Sequence, residues 1–291
     1  MGILVDGQTR VCVQGITGRA GRMQARYMLE AGTRTVSGVT PGKGGEVVEG
    51  IPVFNTMAAA QAVAPADVSI LFVPPAVAEE AATQALGVGI KLVVLITEGV
   101  PVHSALRLRA RAQEAGARLI GPTTPGLIAP GRTKIGIMPA RFYSPGPVGL
   151  LSRSGTLSYE IGAQLSAAGL GQSTVVGLGA DPVVGTGMAE LLELFAADPQ
   201  TEAVVLVGEV GGGQEEAAGR VAATMDKPVV AYIAGHSVPA GVRMGHAGAI
   251  VQGGTGSAAE KLRALEQAGV HTARQPGQVA GLVREALKGR I

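Results

Sequence analysis

Short runs of valine, isoleucine and leucine return every ~25 to 35 residues along this chain, with alanine-, glutamate- and arginine-rich stretches of helical length between them. A run and a helix of that combined size make one βα unit. Such units in series leave little choice besides a parallel sheet covered by helices. In the first half the pattern predicts strands at 10–14, 35–39, 68–73, 91–96 and 118–120, and helices near 19–31, 56–62, 76–86 and 104–115. Proline and glycine then crowd Gly121-Pro122-Thr123-Thr124-Pro125-Gly126 and Ser144-Pro145-Gly146-Pro147. The pattern restarts with strands at 148–152, 173–177, 203–207, 228–233 and 270–272, and helices near 155–168, 188–195, 214–225, 258–267 and 278–287. The chain is therefore expected to be α/β: a doubly wound domain over 1–121, a connection over 122–147, and a flavodoxin-like doubly wound domain over 148–291.

Composition narrows the function classes. Glycine, 45 of 291 residues, is far above its usual share while aromatics make up only 3%, so the excess belongs in loops. It has no three-residue period, which excludes collagen, and the aliphatic content excludes disorder. Twenty-four basic residues against 22 acidic ones leave +2 and no basic stripe, which argues against nucleic acid as a partner. Cys12 is the lone cysteine, so no intramolecular disulfide or cysteine-built zinc site is available, and a reducing cytoplasm is expected. No basic leader precedes an apolar run and no stretch approaches the roughly 18 apolar residues of a membrane span, so neither processing nor membrane attachment is expected.

In open parallel sheets the ligand sits outside the carboxyl ends of the strands. After the first strand stands Gly15-Ile16-Thr17-Gly18-Arg19-Ala20-Gly21, where absent side chains and helix-start amides suit a phosphate. The spacing is G-x-x-G-x-x-G rather than the dinucleotide G-x-G-x-x-G. The second strand ends in Ser37-Gly38-Val39-Thr40-Pro41-Gly42-Lys43-Gly44-Gly45, with a lysine and no ribose-binding carboxylate. That favours a ligand with an extra phosphate, coenzyme A or NADP, while a tight turn without ligand stays open.

The second half offers Ser152-Arg153-Ser154-Gly155-Thr156-Leu157-Ser158-Tyr159-Glu160 at a strand-to-helix junction, with Ser154 as a cap and the following amides as an anion site. Other strand ends add Asp181 and Glu209, and a glycine-rich loop over 235–256 carries His236 and His246. An anion cradle, carboxylates and an imidazole on one edge suit phosphoryl transfer through histidine, the carboxylate fixing the tautomer and supporting the imidazolium. A solvated loop histidine is the plainer alternative. His103 and His271 lie at element edges and read as structural, and no metal-ligand spacing accompanies any of these groups.

Four segments together closely resemble the α subunits of succinyl-CoA synthetase (succinate–CoA ligase): Gly38 to Gly45, Ile96-Thr97-Glu98-Gly99, Ser152 to Glu160, and Arg243-Met244-Gly245-His246-Ala247-Gly248-Ala249-Ile250. The resemblance covers nearly the whole chain. It implies an N-terminal Rossmann-like CoA-binding domain and a C-terminal flavodoxin-like ligase domain whose histidine is transiently phosphorylated. Carried over by position, it implies that Thr17, Gly18, Arg19, Ala20, Lys43, Ile96, Thr97 and Glu98 contact coenzyme A. His246 is then the phosphorylated residue and Glu209 its partner; Ser154, Gly155 and Thr156 hold phosphate, and Tyr159 lies near substrate. The Mg-nucleotide is expected on an ATP-grasp β subunit, with ADP and GDP both open, and a small dicarboxylate is the acid.

Two segments depart from the family pattern. Thr123 and Thr124 stand where Asn-Cys is usual, at a strand end expected to face the thioester region, and Ala180 stands where glycine is usual. The CoA-ligase reading survives, and a malate–CoA ligase α subunit becomes the same-class alternative. An NADP-dependent oxidoreductase and a noncatalytic CoA-binding module are the alternatives from other classes.

Overall fold

The computed structural model describes residues 2–235, 245, 248–251 and 256–288. The chain forms two compact units, Leu4–Met138 with Val183–Thr186 in one and the remainder in the other.

The first unit contains β1 (Arg10–Gln14), α1 (Arg19–Glu30), β2 (Arg34–Val39), β3 (Val47–Val48), β4 (Ile51–Phe54), α2 (Met57–Val63), β5 (Val68–Leu71), α3 (Pro75–Gly87), β6 (Leu92–Leu95), α4 (Val102–Glu114), β7 (Arg118–Ile120), β8 (Gly126–Ala129) and β9 (Thr133–Gly136). Strands β5 and β6 are buried at every position, as expected of parallel strands covered on both faces. Helices α3 and α4 turn the stripes Ala78, Ala82, Ala85 and Ser104, Ala105, Leu108, Ala112 inward, at the three- and four-residue spacing of one helix face. The main sheet runs β3-β4-β2-β1-β5-β6-β7, and only the β3–β4 pair is antiparallel. Its six parallel strands follow the Rossmann order, which reverses between β1 and β5 and opens a crevice at their carboxyl ends.

Strands β3 and β4 were not expected. They are two and four residues long, and Pro52 in β4 faces Val47, so the segment reads as turn. A larger difference falls within 122–147, expected as connection, which holds the β8–β9 hairpin inside this unit. Its end glycines look like loop residues, yet Gly126 has φ +91° and a Cβ there would meet Ile135 O at 2.0 Å. They permit two backbones to touch.

Lys134 on β9 is 3% exposed, donates to Gln24 Oε1 at 3.3 Å and lies 5.6 Å from the centre of the Tyr27 ring. Burial, partly offset by the charge of Glu30, pulls its pKa from 10.5 down to about 8. A base with a lowered folded pKa favours its neutral form. Unfolding free energy should therefore rise as pH climbs from about 8 towards 10.5, while below that window the group is charged in both states and its cost to the fold does not change with pH. Urea titrations of the parent and Lys134→Met should differ by roughly 1–3 kcal/mol in this pH-dependent gain. Equal gains in the two proteins would contradict the assignment.

The second unit contains β10 (Pro145–Ser152), α5 (Gly155–Ala167), β11 (Gln172–Gly177), α6 (Met188–Ala197), β12 (Ala203–Glu209), α7 (Gln214–Ala222), β13 (Val229–Ala234), α8 (Ala258–Gln267), β14 (His271–Ala273) and α9 (Val279–Lys288). These five strands run β14-β13-β12-β10-β11, all parallel. That is the flavodoxin-like order, with its reversal beside β10. Every residue of β12 is buried, and Gly149 on β10 leaves room for the Phe195 ring of α6, whose atoms a Cβ would meet at 2.6 Å. No helix among the described residues is long and apolar enough to cross a membrane.

Candidate functional site

In the first unit, Gly15, Thr17 and Gly18 after β1, Val39 to Pro41 at the end of β2, Phe72 to Pro74 after β5, and Val77 on α3 line a cavity of about 370 Å³ at the β1–β5 crevice. The chain can turn this tightly because Gly15 has φ +75° and a Cβ there would meet Phe72 O at 2.4 Å. Gly21 is equally constrained, since its Cβ would lie 2.2 Å from Gly15 O. Gly18 caps α1 without a side chain, so the amides of the first turn face outward without a side-chain acceptor. Thr17 Oγ1 donates to Thr40 Oγ1 at 3.2 Å and ties the ends of β1 and β2 together.

The other residues expected at this ligand divide. Arg19 and Ala20 are exposed in the first turn of α1. Lys43 does not line the cavity; its ammonium is exposed and pairs with Glu46 at 3.1 Å. Ile96, Thr97 and Glu98 follow β6 on the same edge of the sheet, where Thr97 Oγ1 donates to Val73 O at 2.8 Å. Sequence reasoning missed Phe72, Val73 and Pro74, which lack any chemically loud residue and are identified by the strand order alone.

Thr123 and Thr124 close this strand-end edge. The Thr123 amide donates to Thr97 O at 3.1 Å, and buried Thr124 accepts from the Gly126 amide at 2.9 Å through Oγ1. Thr123 also has φ +56°, a left-handed conformation that a β-branched residue resists and asparagine tolerates. Thr123→Asn should therefore raise unfolding free energy by about 1 kcal/mol. A fall in the urea midpoint of that variant would contradict the strain.

In the second unit the crevice lies between β10 and β12. Ser154 caps α5, its Oγ accepting from the Leu157 amide at 3.4 Å, and Gly155 and Thr156 form the first turn. Glu209 ends the neighbouring strand and is 1% exposed. Between them lies Arg153, 5% exposed, which the sequence offers no means to single out. Its Nη1 donates to Glu209 O at 3.2 Å, to Gly211 O at 2.8 Å and to Glu215 Oε1 at 3.0 Å. Its Nη2 lies 3.4 Å from Glu209 Oε1 and donates to Gly248 O at 3.5 Å.

Glu215 accepts a further bond from Lys261, both residues being fully buried, and accepts from the Glu209 amide at 3.1 Å. Burial alone would raise its pKa, but the charges of Arg153 and Lys261 and the bonds from Lys261 and the Glu209 amide outweigh it and hold the carboxyl below its usual 4.5. An acid with a depressed folded pKa stabilises the fold above about 4.5, and that contribution is lost as pH falls through the folded value.

His246 and His236 lie outside the described residues. Gly248, two positions after His246 in sequence, donates to Ala180 O at 3.1 Å, and a Cβ there would meet that oxygen at 2.9 Å. Gly211 has φ +85° and a Cβ there would meet Gly248 O at 2.4 Å. The two loops thus cross at a point only glycine allows. Asp181 lines a separate space of about 290 Å³ with Arg153 and Gly212 to Gln214. Tyr159 stacks on Phe142 with ring centres 6.1 Å apart, and burial raises its pKa.

Breaking the buried ion cluster at its far end is a test of its cohesion. Lys261→Met should lower unfolding free energy by roughly 3–5 kcal/mol, because it leaves the buried Glu215 carboxylate short of a cation. Urea titration checks this, and a loss under 1 kcal/mol would contradict it.

A family model described as CoA binding domain matches residues 6–99, and one described as CoA-ligase matches residues 151–271. The two sheets are therefore those of a CoA ligase's binding and ligase domains. The chain is 52% identical over 287 residues to a succinate–CoA ligase [ADP-forming] subunit alpha 2 of Archaeoglobus fulgidus, covering 99% of this chain and 100% of that one. It is 49% identical over 291 residues to the corresponding alpha subunit of Aquifex aeolicus, covering 99% and 95%. The chain belongs to the family of succinate–CoA ligase alpha subunits. Among solved structures it is similar to ATP citrate lyase from Methanothrix soehngenii in complex with citrate and coenzyme A, with 26% identity and a TM-score of 0.89. The match covers 99% of this chain and about half, 51%, of that one.

Proposed function

We propose that this chain is the α subunit of an ADP-forming succinate–CoA ligase, acting through phosphorylation of His246. What carries the reading is Arg153, which bonds both Glu209 and Gly248 while its chain neighbour Ser154 opens α5. A carboxylate, an anion-binding helix start and the backbone just after His246 are thereby drawn to one cation.

The steps balance as follows. Inorganic phosphate attacks the succinyl-CoA carbonyl and expels the CoA thiolate, giving succinyl phosphate. An imidazole nitrogen of His246 then attacks phosphorus and releases succinate. ADP finally takes the phosphoryl group from histidine to give ATP. Glu209 would accept the other imidazole N–H, fixing the tautomer and supporting the cation. The amides of Gly155 and Thr156, with the Ser154 cap and the dipole of α5, would hold the phosphoryl oxygens. Excluding water protects the N–P bond, which suits a site completed by a partner.

That partner would be a β subunit of ATP-grasp fold holding Mg-nucleotide. The cavity and glycine turn of the first unit would bind coenzyme A, helped by Lys43 and the 96–98 strand end. Cys12, whose thiol burial pushes up to about 11, suits a reducing cytoplasm.

Labelled ATP with the co-purified subunits should place base-stable, acid-labile phosphate on His246. Glu209→Gln should slow that labelling by about 10- to 100-fold. Label on His236, on no histidine, or at an unchanged rate in Glu209→Gln would contradict the scheme.

A further inference from the structure

The cavity of the first unit contains one polar group that a phosphate cradle does not use. Gln14, the last residue of β1, is 3% exposed and lines it. Its amide nitrogen donates to Ser69 Oγ and to Ala81 O, both at 3.0 Å. A main-chain carbonyl only accepts, so the end of the amide that meets Ala81 has to be NH2, and both protons of that nitrogen are engaged. The amide cannot be flipped, and Oε1 is left without a hydrogen-bond partner among the described residues, in a residue that belongs to the cavity lining.

The other polar side chains around the cavity are bonded to one another. Thr17 donates to Thr40 at 3.2 Å, and Gln84 donates to Glu80 at 3.2 Å. Phe72, Val73, Pro74 and Val77 supply apolar surface to the same cavity. A fixed, unpaired acceptor in such a cavity discriminates in favour of a ligand that brings a donor, because a ligand without one leaves the oxygen buried and unpaired.

Resting on the coenzyme A reading above, we propose that Gln14 is a specificity-determining residue whose Oε1 accepts a hydrogen bond from an N–H of the coenzyme. Coenzyme A carries such donors in two places, the adenine amino group and the pantetheine amides.

Calorimetry on the full chain separates them, using coenzyme A, its analogue with hypoxanthine in place of adenine, and 3′-phospho-ADP, which lacks the pantetheine arm. Gln14→Met should weaken coenzyme A by about 5- to 10-fold. If the donor is the adenine amino group, parent and variant bind the hypoxanthine analogue equally. If it is a pantetheine amide, they bind 3′-phospho-ADP equally. The proposal is overturned if all three ligands weaken by one factor, which would report only the lost ties to Ser69 and Ala81, or if none weakens. Should Gln14→Met fail to fold, the parent decides: replacing the adenine amino group by oxygen, or methylating the amide nitrogens, should cost the same factor, and no loss with either overturns the proposal. Failure of the parent to bind coenzyme A at all is a separate result that removes the coenzyme reading and this one with it.

Discussion

The second unit is organised around one buried guanidinium. Removing a charge from water costs several kcal/mol unless it is fully paired, and arginine meets that demand because its planar fork carries five N–H donors. Arg153 turns Nη1 and Nη2 to the end of β12, the turn after it, the first turn of α7 and the chain at Gly248. The positions of four segments are thereby set by one side chain. Lys261 balances the charge, so two cations stand against the buried carboxylates of Glu209 and Glu215, with Glu216 3.5 Å away at the rim. A lysine at 153 could not reproduce the pattern, since an ammonium has fewer donors and no fixed fork.

Both units open a crevice where strand order reverses, and for the same reason. Parallel strands present their carboxyl ends to one edge, and at the reversal the following helices go to opposite faces and leave a crevice. Glycine then decides how closely loops can line it. Gly15 admits the carbonyl of Phe72, and Gly211 admits that of Gly248, each where any side chain would collide with backbone. The glycine abundance of this chain is thus spent partly on close contact around sites rather than on loose connection.

The parts of this arrangement that repeat locally were legible in the sequence. Strand and helix runs, the glycine turn after β1 and the Ser154 cap are each marked by residues close together in sequence, and the βα rhythm places each turn at the carboxyl end of its strand. The pairings across long distances were not. Glu215 and Lys261 each look like a charge on an ordinary surface helix, and 46 positions separate them, so nothing local marks them as a buried pair. Arg153 stands in the Ser152 to Glu160 segment with nothing local to give it a role, because its partners come from four later segments. The β8–β9 hairpin was hidden by glycines that read as loop, and Gln14 by its place at the end of an aliphatic strand.

The proposed role of Arg153 is to position the phosphoryl-transfer groups, beyond stabilising the unit. Arg153→Lys keeps the positive charge and removes the fork, so histidine phosphorylation and unfolding free energy should be measured together in that variant complex. The expected result is a folded complex whose phosphorylation rate falls by at least about 10-fold, in line with the loss of a partner that orients a reacting histidine. Phosphorylation at the parent rate in a folded Arg153→Lys complex would contradict it.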